Sequence, residues 1–562
     1  MPKRFTLDEA VAGTVRRGET LATKKLAILN FGSTGPRSLD GTLPVLTGPI
    51  SQSTQDRLSE LYRFKLDAKV QVGIDIIDGR AGIDISSPDW TYYAQNHTWR
   101  EFFSADPASQ NLLYIDKIPE RDGNGAYLPS LYLEEALKVY RTTLGIDYDL
   151  SPQSVDPGLT NVFVGVNGIY NFISAADTET REPFLDLLQG DQLAGFTYIN
   201  LPWMAGFFAD PESTAGFYGP GNNFDFNGTS LTSAQVLAHS VFKNTVHELG
   251  HVLGLQHPGN YNGSEPKSIS EFIWQNDSFD QSIMSYASQD VAKRLLGVTD
   301  GFWVLPITPR TLDFLALDSI YSKQTDEAGR PYGTSRAFNG NTRYGFNSTI
   351  QDSESVVYGS LDELFGYRVA VTIPDGNGND ILDFSGYRGS SLIDLHVMTG
   401  DETESRLSSI NGSHGNLSLA VGTVIENAIG GFGDDILKDN QFNNILMGND
   451  GEDSFEVSAG YDIIIGGTGV DQASLARPVD DFLIGHLNPW TSVLRSKDGL
   501  DQVVLNGIES VAFKSPIGEG RTRYFSVDSL NLTPLHLTPS DKDQIDQQLV
   551  EIGILNPNQY TL

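Results

Sequence analysis

Hydrophobic positions along this chain follow three successive patterns. Over residues 61–86, LYRFKLDAKVQVGIDIIDGRAGIDIS alternates apolar and polar residues and is rich in β-branched ones, which predicts two or three strands. NLLYIDKI (111–118), NVFVGVNG (161–168) and AGFTYINL (194–201) predict further strands. Between them, LPSLYLEEALKVYRTTL (128–144) places its apolar residues at helical spacing. A second helix is predicted from Thr232, where TSAQ (232–235) fits a capping box, to Gly254, a suitable left-handed terminator. After residue 340 the chain turns to Gly, Asn and Asp with short apolar pairs. The tail returns to strand-like stretches such as DQVVLNGIESVAF (501–513), with a short helix expected near 540–552.

Between 430 and 474 the third pattern becomes a nine-residue repeat of five turns: GGFGDDILK, DNQFNNILM, GNDGEDSFE, VSAGYDIII and GGTGVDQAS. Its sixth position is Asp435, Asn444, Asp453, Asp462 and Asp471, and its eighth is Leu437, Leu446, Phe455, Ile464 and Ala473. This register predicts a parallel β-roll: the Gly-rich half turns tightly and presents Asp and carbonyl oxygens to calcium, and the other half is a short strand burying its central residue. With two strands per full turn, Asp435, Asp453 and Asp471 fall on one edge and Asn444 and Asp462 on the other. At least two calcium ions are expected on the first edge, with weaker binding or none on the second.

The organisation that follows is a leader or pro-segment (1–50), an N-terminal β element without an assigned role (51–109) and a mixed α and β domain (110–335). The β-roll (336–480) and a β-rich cap (481–562) complete it. Composition sharpens this in two ways. There are no cysteines among 562 residues, so neither disulfides nor thiolate ligands can staple or metallate the chain. The net charge of −34 argues against nucleic acid or an anionic membrane as partner and leaves many carboxylates free for cations. No apolar run is long enough to span a bilayer, and the basic start MPKRFTL is not followed by the apolar stretch of a cleaved signal.

Three of the nine histidines stand in HELGHVLGLQH (247–257). His247 and His251 are four apart on the predicted helix and therefore share a face, which suits neighbouring positions on a tetrahedral zinc. Gly254 lets the chain reverse so that His257 can return as third ligand. Three neutral imidazoles leave zinc its full charge and one open position, and Glu248 can take a proton from water activated there. His239, eight residues upstream, reads as an ordinary helix histidine, since a fourth protein ligand would close the open position.

SIMSY (282–286) follows, with Met284 two residues before Tyr286. Together with HExxHxxGxxH this resembles the metzincin metallopeptidases, in which the methionine underlies the zinc. Pro258, HPGNYNG (257–263), RYGFNS (343–348), DGNGNDILDFSGY (375–387) and GTVIENAIGG (422–431) resemble the serralysins within that clan. The resemblance implies an α+β catalytic domain with a mostly parallel twisted sheet and a long zinc helix, followed by the all-β parallel β-roll of RTX proteins. It implies that Tyr286 is an additional zinc ligand able to swing and stabilise the oxyanion, and that AGFTYIN (194–200), with Gly195, Phe196, Thr197 and Tyr198, is the edge strand receiving an extended peptide. Asp380, within 375–387, joins Asp435, Asp453, Asp462 and Asp471 as a candidate calcium ligand.

The function expected is a secreted endopeptidase with one catalytic zinc and several structural calcium ions. Its expected partners are protein or peptide substrates, a proteinaceous inhibitor and the type I secretion machinery, and it is expected to act as a monomer without membrane insertion. Calcium would replace the missing disulfides, because repelling carboxylates close into a roll only outside the calcium-poor cytoplasm. Two features depart from the family: the segment before residue 110 is longer than a typical leader, and the ending NPNQYTL lacks an acidic residue followed by apolar ones. The competing reading is a calcium-dependent RTX adhesion or structural protein with a dead peptidase domain, but Glu248, the three histidines and Tyr286 are all in place.

Overall fold

A computed structural model describes residues 5–15, 25–31, 128–149, 160–166, 174–177, 192–199, 224–226, 229–231, 233–261, 265–296, 304–513, 523–527, 530 and 532–554. The strands expected over 61–86 and 111–118 lie outside the described residues, as does the side chain of His239. The chain divides into two compact units, one of Met1–Ala337, Asp352–Val357 and Tyr367–Val371, the other of Phe338–Gln351, Tyr358–Gly366 and Thr372–Leu562.

The first unit begins with helix α1 (Leu7–Thr14), where Thr6 and Glu9 form a reciprocal capping box and Leu7, Ala10 and Thr14 are buried. Strand β1 (Lys25–Phe31) follows, then α2 (Leu128–Leu144), β2 (Asp147–Asp149), β3 (Thr160–Val166), β4 (Ser174–Asp177) and β5 (Gln192–Ile199). The five strands form one sheet in the order β2-β1-β3-β5-β4, parallel throughout except for the β4–β5 pair. Residues 25–31 are thus an interior strand of this sheet, although the sequence places them within a leader. Their short apolar run, KLAILNF, carries no periodicity to distinguish it from a connecting segment.

A hairpin of β6 (Phe224–Phe226) and β7 (Thr229–Leu231) precedes the long helix α3 (Ser233–Val252). Helix α2 packs on α3, and the Tyr140 hydroxyl donates to the Val246 carbonyl at 2.7 Å. Beyond α3 come α4 (Gln289–Leu295), β8 (Leu305–Pro306) and α5 (Thr311–Tyr321).

The second unit is built on two parallel sheets that the chain visits alternately. Strands β11 (Ile381–Asp383), β14 (Asn427–Ile429), β16 (Ile445–Asp450), β18 (Tyr461–Thr468) and β22 (Gln502–Asn506) neighbour one another in one sheet. Strands β12 (Leu392–Asp394), β15 (Ile436–Lys438), β17 (Ser454–Val457), β19 (Gln472–Leu475) and β23 (Ser510–Phe513) neighbour one another in the other. Ile445 pairs with Ile463 and Ser454 with Gln472, so one full turn takes two of the nine-residue repeats. The eighth-position residues Leu437, Leu446, Phe455, Ile464 and Ala473 are all buried, as the repeat predicts.

The outer faces differ. On the β11 sheet the flanking Ile381, Ile429, Ile445, Ile463 and Ile465 are buried under Ile545, Leu549 and Ile552 of the C-terminal helix and its end, a helix running Pro539–Glu551 as expected near 540–552. On the β12 sheet the corresponding positions are Ile436, Lys438, Ser454, Glu456, Gln472 and Ser474, none of them buried.

Candidate metal centre

Helix geometry delivers the first two histidines. His247 and His251 lie one turn apart on α3, and their Nδ1 atoms bond the carbonyls of Ile283 and Leu255, each at 2.9 Å. Gly254 follows with φ of 108°, the region a glycine enters without strain, and Leu255 N–H then donates to the Gly250 carbonyl at 2.9 Å. The chain reverses there and brings the His257 Nε2 to 3.3 Å from that of His247 and 3.1 Å from that of His251. Four-coordinate zinc with bonds of about 2.0–2.1 Å sets its nitrogens roughly 3.3 Å apart.

Burial, first, and the neighbouring cationic groups hold His247 well below its ordinary pKa. The same causes push His257 down to about 2. At His247 and His251 a backbone carbonyl takes the Nδ1, and each Nε2 faces that of His257. The three residues fit zinc on donor type and spacing. Among the described residues they are the only group of three His, Cys, Asp or Glu so converged.

Glu248, the next residue on α3, is 4% exposed. Lys243, one turn earlier, is also buried, and its ammonium is lowered to about 8 by desolvation against the opposing pull of Glu248 and Asp313. The 282–286 turn lies beneath the histidines. Met284 is fully buried, and a Cβ at Gly250 would stand 2.9 Å from its sulfur, so the glycine inside the HELGH motif makes room for the methionine. The turn is fixed by Asp313 of α5, which accepts from Ser282 Oγ at 2.6 Å, Ile283 N–H at 2.6 Å and Arg310 N–H at 2.8 Å. The Tyr286 ring lies against His257 with centroids 4.3 Å apart and stacks on Tyr261 at 5.3 Å. Tyr261 is itself held by Asp277, whose carboxylate accepts from its hydroxyl at 2.7 Å. Gly250 and Tyr261 stand inside the quoted motifs without a role that spacing gives them, and Asp277 and Asp313 carry no spacing signal. Only the pairing of distant segments reveals them.

The expected substrate strand needs correction. Gly195, Phe196, Thr197 and Tyr198 lie on β5, which is paired on both sides, to β3 and to β4. The edge beside it is β4, Ser174–Asp177, where Ala175 and Ala176 pair with Tyr198 and Thr197. Alternation and aromatic content mark β5 as a strand but say nothing of its place in the sheet, and an aromatic-rich strand suits an interior position well.

In the second unit three of the five sixth-position side chains accept from the backbone one full turn earlier. Asp453 Oδ1 accepts from Asp435 N–H at 2.8 Å, Asp471 Oδ1 from Asp453 N–H at 2.9 Å, and Asp462 Oδ1 from Asn444 N–H at 2.9 Å. Residues 334–530 match the family described as Peptidase M10 serralysin C terminal. Metalloprotease AprA of Pseudomonas entomophila (strain L48) is 35% identical over 202 residues, 36% of this chain and 37% of that protein. Serralysin C of Dickeya chrysanthemi is 32% identical over 217 residues, 38% of this chain and 39% of its own. A serralysin of Photorhabdus sp. (strain Az29) is 31% identical over 271 residues, 48% of each chain. Residues 334–530 are thus similar to the serralysin C-terminal domain.

The serralysin-type resemblance of the motifs is borne out by these matches, which span less than half the length of each relative. The matched family segment begins after the histidine helix, so the helix rests on its own geometry. Within the matched segment, the glycine opening each of these turns is a steric need: a Cβ at Gly430, Gly448 or Gly466 would collide with the carboxylate of Asp435, Asp453 or Asp471. Among the described residues, Asp453, Asp471, Asp462 and Asp380 each keep one buried carboxylate oxygen without a hydrogen-bond partner. Asp435 uses both oxygens, on Ser391 N–H and Gly431 N–H. Burial is the first cause raising Asp453 to about 7 and Asp462 to about 8. Buried carboxylate oxygens left without donors fit calcium, whose remaining ligands in such turns are backbone carbonyls.

Proposed function

We propose that this chain is a secreted zinc-dependent endopeptidase that hydrolyses internal peptide bonds of extended protein substrates, with calcium folding its C-terminal roll. The observation that carries the reading is the convergence of three Nε2 atoms beside buried Glu248. Zinc held by His247, His251 and His257 supplies Lewis acidity and a compact positive charge. Glu248 takes a proton from the attacking water and delivers it to the leaving amine. Tyr286, packed on His257, donates its hydroxyl to the developing oxyanion. Among the described strands β4 is the edge of the sheet, and an extended peptide adds beside it as a further strand.

Calcium is held by Asp435, Asp453 and Asp471 on one edge of the roll, where acidic layers are adjacent. The other edge, with Asp380 and Asp462, is interrupted by Asn444 and binds more weakly. Folding that depends on calcium suits export by a type I machinery into a calcium-rich exterior.

The test is casein hydrolysis by the calcium-loaded chain with and without a zinc chelator, beside Glu248→Ala. Hydrolysis abolished by chelation and lowered roughly 10²–10⁴-fold by the substitution is expected for a general base. Chelator-insensitive hydrolysis would sink the zinc mechanism, and no hydrolysis by zinc-loaded protein would favour an adhesion or structural protein with a dead site. Anomalous scattering locates the calcium ions, and density mainly beside Asn444 and Asp462 would overturn the edge assignment.

A further inference from the structure

Two of the three imidazoles sit on a helix, which fixes them. The third, His257, sits on a loop beyond the reversal at Gly254, and something else must fix it. Part of the answer is local: Leu255 N–H bonds the Gly250 carbonyl at 2.9 Å, and the Leu255 carbonyl takes the His251 Nδ1 at 2.9 Å. The rest comes from the other end of the chain. Gln256 N–H donates to the Thr14 carbonyl at 2.8 Å, its side-chain Nε2 donates to the Gly13 carbonyl at 2.9 Å, and Val15 and Leu255 form an antiparallel bridge. These acceptors are the last carbonyls of α1, which no intrahelical donor reaches.

Helix α1 is itself anchored. Its capping box fixes the start, Leu7 and Ala10 are buried, and it packs on α5. Helix α5 in turn grips the same loop, because the Tyr321 hydroxyl donates to the Leu253 carbonyl at 2.7 Å. The loop is thus clamped at Leu253, Leu255 and Gln256 before it reaches His257.

We propose that Gln256, docked on the end of α1, is a positioning residue for the third metal ligand, and that the segment 5–15 works as a strut for the zinc site. This rests on the zinc reading above. Gln256 acts through its neighbour, because its side-chain amide is engaged on the Gly13 carbonyl. It sets where the His257 ring stands, and partners of this kind typically change metal affinity about 10–100-fold when removed. Its side-chain amide fits because it is a neutral donor facing a carbonyl. A carboxylate there would meet the Gly13 oxygen with like partial charge.

The experiment measures zinc affinity and zinc release in the full calcium-loaded chain by competition with a chromophoric chelator. Wild type is compared with Gln256→Ala, Gln256→Glu and a chain lacking residues 1–15. The expected result is zinc binding weakened about tenfold in Gln256→Ala, at least as much in Gln256→Glu, and more in the truncated chain. The metal-free melting temperature of Gln256→Ala should stay at the wild-type value, and excess zinc should restore its hydrolysis. Zinc affinity equal to wild type in Gln256→Ala and Gln256→Glu would overturn the positioning role. So would a loss of affinity that only follows a lowered metal-free melting temperature. A wild-type chain that binds no zinc would instead overturn the metal reading beneath it.

Discussion

At the scale of single residues, the site depends on groups that do no chemistry. Gly250 has nothing to do with coordination, yet a Cβ there would stand 2.9 Å from the Met284 sulfur and 3.3 Å from the Tyr140 hydroxyl. Gly250→Ala should cost about 1–3 kcal/mol, the usual range for overpacking a close-packed core, read as a lowered denaturant midpoint. Asp313 makes three hydrogen bonds to Ser282, Ile283 and Arg310 in complete burial. Asp313→Ala leaves the two backbone N–H groups without that acceptor, each at about 1–3 kcal/mol, and frees the turn that carries Met284 and Tyr286. We expect it to lower both stability and zinc affinity, whereas Gly250→Ala with a relaxed Met284 should recover most of its zinc binding. An Asp313→Ala chain that unfolds at the wild-type denaturant midpoint would contradict the account of the turn.

Elements are where the sequence was most and least informative. The helix over 128–144 and the nine-residue roll are legible because both are periodic and local: one in 3.6 residues, the other in a fixed turn-and-strand unit. The three histidines are legible because their spacing acts through one helix and one glycine. The edge strand is not, since β4 and β5 differ in pairing, which joins segments with no shared period. Nor is α1, whose role lies in carbonyls offered to a loop 243 residues away. The roll also predicts a pH response. Without calcium, Asp453, Asp462 and Asp375 have folded pKa values raised by burial to about 7, 8 and 9, above an ordinary carboxyl. Folding then favours their protonated forms, so this contribution is fully present below the unfolded pKa and is lost as pH rises through those values. The calcium-free roll should therefore melt lower at pH 8 than at pH 5. Calcium, competing with those protons, should reverse the order. A calcium-free melting temperature that rises from pH 5 to pH 8 would show that burial does not govern these carboxylates.

At the scale of the whole molecule, the two units rely on different staples. The first is a sheet with helices and one candidate zinc site, and its core is ordinary apolar packing around α2, α3 and α5. The second stacks parallel strands and buries the carboxylates of Asp380, Asp435, Asp453, Asp462 and Asp471 in its turns, in a chain of net charge −34 without a disulfide. Among the described residues, one outer face of the roll is covered, by Ile545, Leu549 and Ile552. Leu549→Ala removes a fully buried side chain from that cover and should cost about 2–5 kcal/mol, all of it in the second unit. The two staples should therefore separate in calorimetry. A calcium-selective chelator should lower or abolish one transition together with part of the far-ultraviolet β signal, and Leu549→Ala should move that same transition. A zinc-selective chelator should move the other, with little change in secondary structure, because α3 keeps its backbone bonds without the metal. Specific binding to the folded form stabilises by mass action, so each shift should scale with the logarithm of free ion concentration. If both chelators moved a single common transition, the units would not be thermally independent, and zinc loss would then be expected to unfold the roll as well.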